Sequence, residues 1–263
     1  MTVASHQHRV SRRALVVVGA ALLVGFLHAG GAVAGPPLEA PPVKAVIELF
    51  TSQGCANCPP ADALLGRLAG EQDVIALTLP IDYWNYLGWQ DTRATPQNSA
   101  RQMAYAAARG DRDVFTPQVV VNGRIGLLGT DEDEIRREAR LQADAGEGPS
   151  VPIRLARAGD VLEVRVGAAE APSGHAAAAT IWVAAVEPRV SVRVERGENA
   201  GRDVVYSNVV RHMQAVGIWR GEPIAVDLPL SAVDESGRQC IVVLLQAGEN
   251  DKPGPILGAA FLP

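Results

Sequence analysis

The hydrophobic rhythm of the chain begins at Lys44. Lys44 to Phe50 (Lys-Ala-Val-Ile-Glu-Leu-Phe) is too apolar for a one-sided strand and predicts one covered on both faces. A small polar loop follows, and then the period changes to that of a helix over 59–69. Ala61, Leu64, Leu65 and Leu68 recur at i, i+3, i+4 and i+7, and the Pro59-Pro60 pair suits a helix start. Val74 to Leu79 is a second buried run, ended by Pro80. Strand, helix, strand predicts a parallel pair with a right-handed crossover. Thr95 as N-cap, Pro96 at the first helical position and Gly110 past the end frame a helix over 95–109. Two short strands flank Asn122-Gly123, a type I′ hairpin signal. Asp131 caps a last helix over 131–143, with Ile135, Ala139 and Leu141 on its apolar side.

Past a linker at 145–150 the rhythm becomes alternation. Val151 to Arg157 and Val161 to Val166 read as a hairpin with one wet face. Further strands are expected at 178–187, 189–195, 203–207, 223–228, 239–247 and 256–261, and Val209 to Val216 reads as helical or irregular. Many short strands with regular turns predict a β-sandwich. The expected organisation is an α/β domain over 43–144 followed by a mostly β, sandwich-like domain over 151–263.

The first residues change the picture of where the chain works. Arg9, Arg12 and Arg13 precede an apolar run from Ala14 to Leu27, and Ala32-Val33-Ala34 forms an A-x-A site before Gly35. Residues 1–34 are therefore expected to be a signal peptide and 35–42 a Pro-rich linker, which places the mature chain in the periplasm or outside the cell. Ser11-Arg12-Arg13 hints at twin-arginine export. The leader holds three of the 24 Lys and Arg and none of the 29 Asp and Glu, so the mature chain is markedly acidic. With no basic patch, nucleic acid is not an expected partner. No second apolar run approaches the length of a membrane-spanning helix.

Cysteine carries the candidate chemistry. Cys55 and Cys58 lie where the first strand meets its helix. There, unpaired N–H groups and the positive end of the helix dipole favour a thiolate. Cys-x-x-Cys in a strand–helix setting reads as redox chemistry. Export puts the pair where disulfides persist. Cys240 is left over in an apolar strand, either as a small core residue or as a partner thiol for the motif. Asp82-Tyr83-Trp84-Asn85-Tyr86-Leu87-Gly88-Trp89 packs four of the twelve aromatics into eight residues. Tyr83, Trp84 and Trp89 read either as a wall that grips substrate or as a loop anchored by its own rings. Asp82 is either a turn cap or a proton shuttle. His212-Met213 invites a copper reading, against a packed Met beside a surface His. A zinc site would need a second ligand pair. No metal or cofactor is expected.

Glu48-Leu49-Phe50-Thr51-Ser52-Gln53-Gly54-Cys55, Cys58-Pro59-Pro60-Ala61-Asp62, Asp82-Tyr83-Trp84, Thr116-Pro117-Gln118, Arg196-Gly197-Glu198-Asn199 and Tyr206-Ser207-Asn208-Val209-Val210-Arg211 together resemble the DUF1223 family of exported proteins. The resemblance implies a thioredoxin-like first half. In that fold a cis proline after Thr or Val faces the cysteine pair, which implies a cis Thr116–Pro117 bond and a substrate edge there. Three departures stand out. Pro80 occupies a place where the family often has His, Ala56-Asn57 replaces the Gly-Pro of thioredoxin, and no Trp directly precedes Cys55.

The expected function is an exported thiol–disulfide oxidoreductase acting on protein or small-molecule thiols and disulfides. Cys55, solvent-facing at the helix tip, would attack, Cys58 would resolve the mixed disulfide, and Thr116 and Pro117 would present backbone to substrate. The alternatives are a non-enzymatic binding or scaffold protein with a structural disulfide, and a copper-handling protein.

Overall fold

The computed structural model describes residues 42–111, 113–169, 178–234, 239–249 and 252–263. The expected signal peptide and nearly all of the linker after it lie outside the described residues. The first strand, β1 (Ala45–Thr51), is buried at every position, as its unbroken apolar run requires. Its residues alternate between two cores. Val46 and Phe50 join one with Tyr105, and Ile47 and Leu49 join another with Leu64, Leu65 and Leu68. Helix α1 (Pro59–Leu68) follows, and β2 (Val74–Pro80) pairs parallel to β1. Thr95 caps α2 (Pro96–Arg109) through a hydrogen bond from the Asn98 N–H, and Gly110 closes it at φ 78°. Strands β3 (Gln118–Val121) and β4 (Ile125–Leu128) form the expected hairpin, with Asn122 and Gly123 both at positive φ. Asp131 caps α3 (Glu132–Asp144). Among the described residues, no helix is long and apolar enough to cross a membrane.

The second half is built from β5 (Ile153–Ala158), β6 (Val161–Val166), β7 (Ala179–Arg193), β8 (Asp203–Trp219), β9 (Ile224–Pro229), β10 (Cys240–Glu249) and β11 (Lys252–Leu262). One eight-stranded sheet runs β11-β10-β7-β8-β2-β1-β3-β4 and so crosses from one half of the chain to the other. A second sheet, β5-β6-β9, packs its Leu162, Val164 and Val226 onto Ile181, Val183 and Val243 of the large one. The architecture is mixed α/β, dominated by strands around this large sheet.

Two sequence expectations are corrected here. Strands at 178–187 and 189–195 are one strand, β7, and Pro188 does not divide it. The register places Pro188 opposite Asn208, whose φ of 50° interrupts the ladder from the other side, so the missing proline N–H falls where pairing is already broken. Val209 to Val216 is not helical or irregular but the middle of β8. Its Val209, Val210, Met213 and Val216 spacing imitates a helix face. Pairing along β7 decides for strand. Asn208 is the joint between the halves. Its Nδ2 donates to the Ala76 carbonyl of β2, while the Thr78 hydroxyl donates to the Ser207 carbonyl at 2.6 Å.

Candidate functional site

The C-terminal end of β1 delivers Thr51-Ser52-Gln53-Gly54 to the mouth of α1, and Cys55 and Cys58 form a disulfide there with Cα atoms 5.4 Å apart. Ala56 and Asn57 between them are exposed. The sulfur-bearing residues are not. Cys58 is fully buried and Cys55 is 5% exposed, so the expectation of a solvent-facing Cys55 is corrected, although it is the more accessible of the two. Two flanking segments account for the cover. On one side the Thr116–Pro117 bond is cis, and the Cys55 sulfur lies 3.8 Å from the Thr116 carbonyl oxygen. Trp84 leans in beside it, its indole N–H donating to the Thr116 hydroxyl at 2.7 Å. A Cβ at Gly54 would come 3.2 Å from the Trp84 Cβ, so glycine is what lets this ring approach.

On the other side stands the loop between β7 and β8. Asn199 is fully buried, and its amide donates to the carbonyls of Gln53 (3.0 Å) and Cys55 (2.7 Å). The Glu198 carboxylate accepts the Ala56 N–H at 3.2 Å. Gln53 is anchored further. Its N–H donates to Asp91 at 2.7 Å, and its side-chain oxygen accepts the Trp89 indole N–H at 2.8 Å. Segments from both halves of the chain thus converge on four residues of the motif loop.

The remaining expected residues divide by role. Thr116, Pro117 and Trp84 gather at the cysteine pair. Trp89 sits behind the motif loop against Gln53, packed with Val190 and Val194. Tyr83 donates to the Gln102 side chain at 3.1 Å, and burial pushes its phenol up to about 12. Trp84 stacks on Tyr86, which is largely exposed. Asp82 faces α2, where it accepts the Ser99 hydroxyl at 2.5 Å and its own N–H donates back to Ser99. Cys240 is a buried free thiol in the core of β10, and burial raises its pKa. Neighbouring strand residues point to opposite faces, and accordingly His212 is exposed while Met213 packs against the core. Among the described residues, no group of three or more His, Cys, Asp or Glu is placed to hold a metal ion.

A buried carboxylate on α1 was not among the sequence expectations. Asp62 lies one helical turn after Cys58, its N–H bonded to the Cys58 carbonyl, so the two side chains share a face of α1. Its Oδ1 accepts the Thr51 hydroxyl at 2.7 Å, whereas its Oδ2 is buried without a partner. Burial raises its pKa well above the ordinary carboxylate range, against the lowering effect of Thr51, and nearby Asp91 raises it further. A groove between α1 and β8, lined by Pro59, Asp62, Ala63, Arg67, Arg189 and Asp203, reaches the edge of this residue. The helix period held the signal, since Asp62 falls on the face of Ala61 and Leu65. An acid in a first turn reads more simply as a dipole partner.

Fold and site together define a strand-rich α/β protein with a Cys-x-x-Cys disulfide at a helix mouth, facing a cis-prolyl bond. The chain belongs to the DUF1223 family, described as "Protein of unknown function", whose pattern matches residues 46–246. It is similar to a crystal structure of a protein from Agrobacterium tumefaciens, with 38% identity, a TM-score of 0.75 and coverage of 84% of this chain and 94% of that one. It is also 30% identical over 96 residues to a probable thioredoxin of Archaeoglobus fulgidus, spanning 36% of this chain and 86% of that protein.

Proposed function

We propose that the chain is an exported thiol–disulfide exchange protein acting through Cys55 and Cys58 on protein or small-molecule thiols and disulfides. The placement of the Cys55 sulfur against the Thr116 carbonyl, at the edge of the cis bond, carries this reading. An extended substrate lying along that edge brings its own sulfur to Cys55. The stacked Trp84 and Tyr86 supply an aromatic flank.

In the reducing direction the Cys55 thiolate attacks a substrate disulfide. A mixed disulfide forms, the substrate S–S bond breaks, and one substrate sulfur leaves as thiolate. Cys58, once deprotonated, attacks the Cys55 sulfur. The Cys55–Cys58 bond forms, the mixed bond breaks, and the second substrate sulfur leaves. Two electrons pass to the substrate, and the two cysteine protons end on its thiols. Oxidation of a dithiol runs the same steps in reverse. Asp62 is the group placed to take the Cys58 proton, since its raised pKa suits a residue that must both gain and release one.

Asp62→Asn keeps an acceptor for Thr51 and removes the titration. The Cys58 step should slow by on the order of 10²-fold, read by stopped-flow decay of the mixed disulfide, while attack at Cys55 holds its rate. The native carboxyl keeps its proton to higher pH than the unfolded one. Ionising it therefore lowers native stability as pH rises above the unfolded pKa. The variant should be more stable than wild type in urea at pH 8 and approach it at pH 4. An unchanged resolution rate would remove Asp62 from the mechanism.

Burial of both cysteines favours a second reading, a scaffold whose disulfide clips the motif loop in place. Equilibration in dithiothreitol redox buffers, together with reduction of insulin disulfides, separates the two. Exchange requires a reversible two-electron equilibrium and turnover above that of the small dithiol alone. A disulfide that does not equilibrate and supports no turnover leaves the scaffold.

A further inference from the structure

We infer that Glu198, carried in by the loop between β7 and β8, restrains the acidity of Cys55 and so makes the Cys55–Cys58 pair less oxidising. The inference rests on the exchange reading above and adds to it a residue that tunes the pair. Ala56 N–H is the first backbone donor after Cys55, in the turn that leads into α1, and such an N–H favours a thiolate beside it. Glu198 takes that donor at 3.2 Å and sets a negative charge against the backbone next to Cys55. Both effects disfavour the thiolate. A less stable thiolate means a less stable reduced form, hence a weaker oxidant.

The contact is built into the loop. Asn199, fully buried next to Glu198, clamps the carbonyls on either side of Gly54. Arg202 in turn donates to the Asn199 side-chain oxygen at 3.2 Å. Gly197 sits at φ 78°, a conformation that places the chain against Trp89, whose Cβ would lie 3.3 Å from any Cβ added there. Other ionisable groups around the motif include Asp62 on α1, Asp91 in the segment before α2, Tyr83 near Thr116, Tyr206 on β8 and the Arg202 guanidinium bonded to Asn199. Asp91 bonds the Gln53 N–H and Asp62 the Thr51 hydroxyl, which leaves the Ala56 N–H to Glu198. Glu198 acts through Cys55 and is a positioning residue. In this arrangement the long β7–β8 hairpin brings the second half of the chain to the redox pair.

Glu198→Gln keeps an acceptor for the Ala56 N–H and loses the charge. The pH dependence of Cys55 alkylation by iodoacetamide is measured in reduced protein, read on the Cys55 peptide by mass spectrometry, in a Cys58→Ser background. Its midpoint should fall by about half a unit to one unit at low salt. The difference should shrink in 1 M NaCl, because Glu198 is exposed and its field is screened. In the protein with both cysteines, the equilibrium with glutathione should move roughly two- to tenfold toward the reduced form, tenfold being about 30 mV. Glu195→Gln, an exposed carboxylate of the same loop, should move both readouts by less than half as much. An unchanged midpoint for Glu198→Gln, or an equal shift in the Glu195 control, overturns the inference and leaves the exchange reading standing. Failure of the wild type to exchange overturns that reading instead, and the alkylation midpoint still reports on Glu198.

Discussion

Cys58→Ser should trap a stable mixed disulfide on Cys55, and Cys55→Ser should abolish exchange, lowering turnover by at least about 10³-fold. The asymmetry follows from position. Cys55 retains 5% exposure and lies against the cis-prolyl edge, where a substrate sulfur can approach. Cys58 is fully covered and meets only what Cys55 presents to it. Without Cys58 the first attack still proceeds, and the adduct with a thiol reagent such as 5-thio-2-nitrobenzoate persists. Without Cys55 no sulfur of the pair reaches substrate. Mass spectrometry of the adduct and insulin-reduction rates check both halves. Loss of the disulfide costs stability in either variant, by about 2 kcal/mol for so short a loop. Stability therefore does not separate exchange from scaffold, whereas the trapping asymmetry does. Equal adduct yields from the two single variants would sink the exchange reading.

Arg101→Met should destabilise the chain by about 3–5 kcal/mol, because it leaves a buried carboxylate without its cation. Glu48 is fully buried in the middle of β1, and Arg101, on α2, is 10% exposed. Their N–O distance is 2.6 Å. Tyr105 donates to the other Glu48 oxygen at 2.5 Å, and Arg101 also donates to the Gln246 side chain of β10 at 3.0 Å. Gln246 closes the ring by donating to the Tyr105 hydroxyl at 2.7 Å. One polar cluster thus ties β1, α2 and β10 together beneath the sheet. Urea unfolding of the single variant and of Glu48→Gln/Arg101→Met measures the coupling. The double variant should recover a large part of the loss, since both charges are then gone. A single variant within 1 kcal/mol of wild type would show that the cluster contributes little.

The first half of the fold was legible because each element announces itself locally. Pro59-Pro60, Thr95-Pro96, Asn122-Gly123 and Asp131 act through their own backbone preferences, which neighbours far along the chain do not alter. The second half was less legible. Val209 to Val216 carries two spacings at once, and only the partner strand β7 chooses between them. The site divides in the same way. Cys55 and Cys58 stood out by residue type and spacing, and Pro117 through the family resemblance. Asp62 did not, because an acid in a helix's first turn has an ordinary explanation until burial removes it. Asn199 and Glu198 lie more than 140 positions from the loop they hold.

From the residues alone came the pair of sulfurs, their place at a helix start, and the helices and strands around them, since each depends on a few adjacent dihedrals and side chains. Only the folded chain decided how deeply those sulfurs are covered, which carboxylate stands below Cys58, and that one sheet joins both halves. Burial and charge proximity are sums over groups distant in sequence, and the chain brings those groups together only when it folds.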